Sequence, residues 1–254
     1  MKRFVQVALL LLGGLGLLQT SLFTDEYLRL VKEGMRPLLV VSGVVLVGLG
    51  VVEAWSVLAG PGHHGRHGHH PEGAEGVDGH GHDHSGVPRV AWLLFLPVLS
   101  LLFYAPPALG SYTAAREPAK AVAVQDEGFD PLPATSPLPM TLTGFTQRVQ
   151  QDRSRAVRTR TVLMTGFVSP APAKDDGWYL TRIIISCCAA DASSVKVLVH
   201  GVPAPKTDSW VNVTGTWHAS GTLGTSSAVV ALDGRSVKKV RKPSNSYMDA
   251  LPLD

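Results

Sequence analysis

Three long apolar stretches, all in the first half of the chain, constrain this sequence more than anything else in it. Residues 4–23 and 90–109 carry no charge, and residues 37–59 carry only Glu53. Each matches the roughly 20 residues a helix needs to cross the hydrocarbon core of a bilayer. The composition agrees. Charged residues make up 17% of the chain and mean hydropathy is +0.15, whereas soluble domains carry about 25% charge. Lys2 and Arg3 before the first stretch would also suit a signal peptide. The run is long for that, and no A-x-A cleavage site follows it. The expectation is a retained anchor and about three transmembrane helices in residues 1–110, with the bilayer as solvent.

The rest of the chain divides by composition. Residues 60–88, between the second and third stretches, are rich in Gly and His and cannot form a core of their own. Residues 111–139 are rich in proline and read as an extended linker. Residues 140–254 read as a folded domain. Residues 143–155 place Phe145 and Val149 at i, i+4 behind Thr143 as a cap, which predicts a short helix. Strand patterns follow at 161–168, 178–186, 195–200 and 210–217, with shorter runs at 227–232 and 237–240. Gly166 and Gly215 inside strands suggest bulges or tight bends. This is an α + β membrane protein whose C-terminal domain is expected to be a small OB-like β-barrel.

Lys2 and Arg3 favour a cytoplasmic N-terminus, which with three spans puts the C-terminal domain outside the cytoplasm. The charge count is nearly balanced, with Lys2, Arg3, Arg66 and Arg89 on one side and Arg29, Lys32 and Arg36 on the other. The net charge of +3 is too mild to point to nucleic acid.

Two constellations could carry chemistry. The first is His63, His64, His67, His69, His70, His80, His82 and His84, set among glycines with Glu72, Glu75, Asp78 and Asp83. Neutral imidazole ligates Zn²⁺, Cu²⁺ and Ni²⁺, and a flexible tract can wrap such an ion. A solvated low-complexity linker is the alternative. The second is Cys187-Cys188, the only cysteines. A disulfide between them is disfavoured, because a trans peptide holds adjacent Cα atoms about 3.8 Å apart, below the usual range. In a regular strand the two thiols would face opposite ways, so they share a site only where the strand ends. His200, His218 and Asp191 could complete a metal site with them. A redox pair, or one buried cysteine with an incidental neighbour, are the alternatives.

Arg182 is either a charged partner for Asp191 or a solvated strand residue. Glu53 is an intramembrane carboxylate by position, but it stands near the end of its stretch beside Trp55, which suits the membrane interface. The basic run Lys238, Lys239, Arg241 and Lys242 could meet acidic partners or lipid headgroups. No P-loop, G-x-G-x-x-G, H-E-x-x-H or G-x-S-x-G motif occurs, and no nucleophile–base pair stands out. A binding role is expected rather than an enzyme.

The segments LTGFTQRVQQD, VLMTGFV, WYLTRIIISCCAADA, VKVLV and WVNVTGTW, behind an apolar N-terminal half, resemble the YcgQ-type permease subunits. These are bacterial membrane proteins with a C-terminal domain of unknown function. The resemblance implies location in a bacterial cell membrane and a role as accessory subunit of a transporter beside a multi-span permease. The His tract is a departure that the resemblance does not explain. It and the cysteines suggest the handling of a divalent metal such as zinc, with the transported substrate left open. A membrane-anchored metal buffer or chaperone, and a purely structural docking module, are the competing readings.

Overall fold

The computed structural model describes residues 2–59, 108–118, 121–125 and 128–252. The described residues fall into two compact units, one holding residues up to 23 with those from 38 to 59, the other residues 24–37 with those from 108 onward.

In the first unit, α1 (Lys2–Leu22) and α2 (Arg36–Leu58) are long and apolar enough to cross a membrane. The corresponding stretches Arg3–Leu22 and Glu33–Leu58 have mean hydropathies of 1.7 and 2.2. They meet through glycines. A Cβ on Gly14 would fall 2.7 Å from Val47, one on Gly43 2.8 Å from Leu18, and one on Gly50 2.8 Å from Leu11. Small residues at such contacts let two helix backbones approach closely. The other faces expose Val41, Val44, Leu49, Val52 and Trp55. The third expected span and the His-rich segment lie outside the described residues, apart from residues 108 and 109.

The second unit is a mixed six-stranded sheet with two helices, α3 (Ser111–Arg116) and α4 (Leu142–Gln151). Its strands are β1 (Leu138–Pro139), β2 (Thr161–Pro170), β3 (Trp178–Ile184), β4 (Ser193–His200), β5 (Trp210–Trp217) and β6 (Ala231–Lys239). β2 pairs antiparallel with both β3 and β5, β3 with β4, and β5 with β6, while β4 and β6 run parallel. Each of the five long strands therefore has a neighbour on both sides. The alternating apolar residues of these strands form one core, with Val162, Met164, Leu180, Val197, Val213 and Leu232 buried beside Phe145 and Val149 of α4.

Three local expectations change. The end of the run at 227–232 and most of the run at 237–240 belong to a single strand, β6, which continues through Gly234. Glycine is needed there because a Cβ would fall 2.6 Å from Val202. A register shift does sit at Thr214/Gly215, but Gly166 keeps its register opposite Val211. Its missing side chain instead admits the Thr181 carbonyl, 2.8 Å from where a Cβ would stand. The cap of α4 is Thr141, not Thr143. Thr141 Oγ1 accepts from the Gly144 N–H at 2.9 Å, and the Asp249 carboxylate accepts from Leu142 and Thr143. Replacing Thr141 by alanine should cost about 1 kcal/mol, read as a small fall in the urea midpoint.

The stretch expected as an extended linker carries structure of its own. Ala114 of α3 is buried with Phe167, Ile183, Ile185, Trp210 and Tyr247 in a second apolar cluster. Lys196 Nζ donates to the Ala114 and Glu117 carbonyls, which fixes the end of α3. Apolar residues around it, rather than helix propensity, bring this segment onto the sheet.

Candidate functional site

β3 ends at Ile184, just before the cysteines. The chain then turns through residues 186–192, and Asp191 organises that turn. Its carboxylate accepts from the backbone N–H of Ser186 at 2.9 Å and of Cys187 at 2.7 Å. From the other side, the Lys32 N–H donates to the Cys187 carbonyl at 3.1 Å and the Ala189 N–H to the Leu30 carbonyl at 2.7 Å. Val31 and Cys188 form a short antiparallel bridge. Both thiols are free, Cys187 exposed and Cys188 half-buried. The Cys187 thiol is pushed up to about 11, first by its hydrogen bond to Asp191, then by one with Cys188 and by local desolvation. The same thiol donor, with the backbone N–H groups of Ser186, Cys187 and Cys188, holds the Asp191 carboxyl below its usual range.

His200 and His218 come together elsewhere. Their ring centroids are 4.4 Å apart and the planes are tilted by 37°. His200 ends β4, and the parallel pairing with β6 sets Asp233 opposite it. His218 follows β5, and its Nδ1 lies 2.7 Å from Asp233 Oδ1. A carboxylate only accepts, so His218 donates from Nδ1 and keeps the Nε2 lone pair for another partner. The cysteines and this pair occupy opposite ends of the β3–β4 hairpin, because Ile184 pairs with Ser193 at one end and Trp178 with Val199 at the other. At about 3.3 Å per residue they stand roughly 20 Å apart. The structure thus separates the thiols and Asp191 from the imidazoles, and a single centre drawing on both is not formed. Among the described residues, no group of three or more His, Cys, Asp or Glu is arranged to hold a metal ion.

Arg182 does not reach Asp191 as expected. It is 1% exposed, with Nε donating to the Thr165 carbonyl at 2.8 Å and a terminal nitrogen to the Met248 carbonyl at 3.2 Å. Its guanidinium carbon lies 4.7 Å from the centre of the Trp210 ring. Burial pulls its pKa below the usual arginine value, partly offset by the Asp249 charge. Glu53 lies on α2, five residues before its end, with Trp55 75% exposed beside it. Trp178 is core, its indole N–H donating to the Val202 carbonyl. The eight histidines from His63 to His84 lie outside the described residues.

Sequence reasoning named Cys187, Cys188, Asp191, His200, His218 and Arg182 but missed Asp233, Asp249, Thr165 and Asn212. No local pattern marks these four. Only strand register and the path of the C-terminal segment bring them to their partners.

The described residues define a chain with two long apolar helices and a C-terminal mixed-sheet domain whose polar side chains gather in loops and at strand ends. A DUF1980 C-terminal domain is found at residues 149–248, about two fifths of the chain. The match takes in the five long strands, the cysteine turn, Arg182 and the histidine pair. No curated protein and no solved structure matches the chain significantly.

Proposed function

We propose that this chain is a membrane-anchored accessory subunit of a multi-span permease, of the YcgQ type, and that it binds a divalent metal ion such as zinc rather than catalysing a reaction. In this reading α1 and α2 lie in the membrane with the third apolar stretch, and the sheet domain stands outside the cytoplasm. The circular order of strand pairing, β2-β3-β4-β6-β5 and back to β2, supports an OB-like barrel for that domain.

The observation that carries the metal reading is the His200–His218 pair with Asp233 behind it. A carboxylate on one imidazole nitrogen fixes the tautomer and leaves the other nitrogen as a ligand. Two imidazoles form an incomplete coordination shell, with the remaining positions left to water or to a partner's ligands. An incomplete shell suits a site that receives and releases its cargo. The His-rich segment 60–88 would gather ions across the membrane from it.

The test is a zinc titration of the chain lacking residues 61–86, which removes the tract that would bind metal in any case. The expected result is one zinc per chain, at least tenfold weaker in a His200→Ala, His218→Ala variant and unchanged in a Cys187→Ser, Cys188→Ser variant. Loss in the cysteine variant alone would move the site to the 186–192 turn. Absence of binding would favour the second reading, a docking module for the permease.

A further inference from the structure

A second polar site lies in the sheet domain, at the other end of β5 from the histidines. Asn212 lies near the start of β5 and His218 just past its end, six residues on, about 20 Å by strand rise. A cavity of about 740 Å³ opens there, lined by Thr165, Arg182, Asn212, Lys238, Arg241 and Lys242 together with residues 243–245, 248, 250 and 251. Four lining residues are cationic, and none of the described lining residues is acidic.

Strand register assembles the cavity wall. Asn212 of β5 stands opposite Thr165 of β2 on one side and Lys238 of β6 on the other, so these three side chains form a row on one face. Thr165 donates its hydroxyl to Asn212 Oδ1. The Asn212 amide NH₂ then keeps its donors, with no partner among the described residues. Arg182 comes up beside this row from β3. It commits two of its five N–H donors to carbonyls, and no described carboxylate lies within ion-pair distance of it. Asp249 acts on it through its charge alone, and its two oxygens each accept one N–H, from Leu142 and Thr143. A buried cation without a bonded counter-ion is costly unless something supplies the charge. The cavity presents a guanidinium, an amide NH₂ and three surface cations, all donors.

We infer that this cavity is an anion site that holds a phosphate-type oxyanion, with Arg182 and Asn212 as its inner donors and Lys238 and Lys242 as its rim. Guanidinium fits the planar edge of such an oxyanion through two parallel hydrogen bonds. Four cations without an acidic neighbour favour a multiply charged phosphate group over a single carboxylate. The group could come from free phosphate or from a lipid headgroup, and the chemistry of recognition is the same.

The test uses the full chain in non-ionic detergent at pH 8. Calorimetric titration is run with inorganic phosphate against chloride of matched ionic strength. A second arm uses water-soluble dihexanoyl phosphatidic acid against dihexanoyl phosphatidylcholine. Saturable binding of either phosphate probe is expected, weakened at least tenfold in a Lys238→Gln, Lys242→Gln variant and in Arg182→Lys. The latter keeps the charge and removes the planar fork. The lysine variant changes only exposed side chains, so it remains informative if Arg182→Lys folds poorly. Binding of inorganic phosphate identifies a free anion, and binding of the lipid alone identifies a headgroup; either upholds the site. Failure of both probes to saturate, or unchanged affinity in the lysine variant, overturns it.

Discussion

Phe145→Ala should lower the stability of the sheet domain by about 3–5 kcal/mol, against a total of about 5–15 kcal/mol for a typical domain. Phe145 is 0% exposed and belongs to the main core, as does Val149 one turn later. α4 is short, and helices of this length are marginal in water without packing. Its apolar edge is therefore what holds it on β2 and β4. The Val149 carbonyl also accepts from the Gly224 N–H at 2.7 Å, which ties the 218–230 loop to the same helix. Truncating the ring leaves a cavity that this many fixed neighbours can only partly close. With a urea slope of about 2 kcal/mol per molar, the midpoint should fall by about 2 M, read through the fluorescence of Trp178, Trp210 and Trp217. Val124→Ala, at a 75% exposed position, is the control and should leave the midpoint in place. A fall of less than about 0.5 M in Phe145→Ala would mean that α4 is not part of the cooperative core.

The same residues show what a sequence of this kind discloses. Phe145 and Val149 at i, i+4 marked α4, and both are buried. Trp210–Trp217 alternates cleanly and is a strand over that same range. β6 was harder to read because Gly234 interrupts it and Arg235, Ser236, Lys238 and Lys239 face solvent, so its pattern broke into two apolar fragments. β1 is two residues long and pairs only through Leu138 and Pro139, too little for any periodicity to register. In the candidate sites, residue types were legible and neighbours were not. His200 meets Asp233 because β4 and β6 pair in parallel across some thirty residues of chain. Arg182 binds the Met248 carbonyl because the C-terminal segment returns over the sheet. Contacts of that separation are set by tertiary register, which the side-chain period of a single strand does not encode.

Asp191→Asn should release the Cys187 thiol. In the native chain Asp191 accepts from that thiol and sets a negative charge beside it. The hydrogen bond is the largest of the causes that hold the thiol up at about 11, against an ordinary 9.0, and the charge is a smaller one. Both effects stabilise the protonated form, so the thiolate is scarce at neutral pH. Asparagine removes the charge, and Cys187 should fall toward its ordinary value. At pH 8 the thiolate population then rises by up to about 100-fold. A less basic thiolate is also a weaker nucleophile, by about tenfold over such a fall, so the net gain in alkylation rate is about tenfold. The pH profiles separate in the same sense. The native rate should climb until pH approaches 11, whereas the variant should level off near pH 9. The measurement is iodoacetamide labelling resolved at Cys187 by fragment mass spectrometry. Equal rates at pH 8 and a shared plateau would show that Asp191 does not govern the thiol. The consequence reaches the metal reading. A thiol becomes a metal ligand only after it loses its proton, and here that proton is held by the residue that also shapes the turn. His218 has the opposite arrangement, since its carboxylate partner accepts a hydrogen bond from Nδ1–H, and in the neutral ring Nε2 then carries the lone pair. In the metal reading proposed above, the imidazole pair is therefore placed before the cysteines as the ligand set, because the Cys187 proton is held by Asp191.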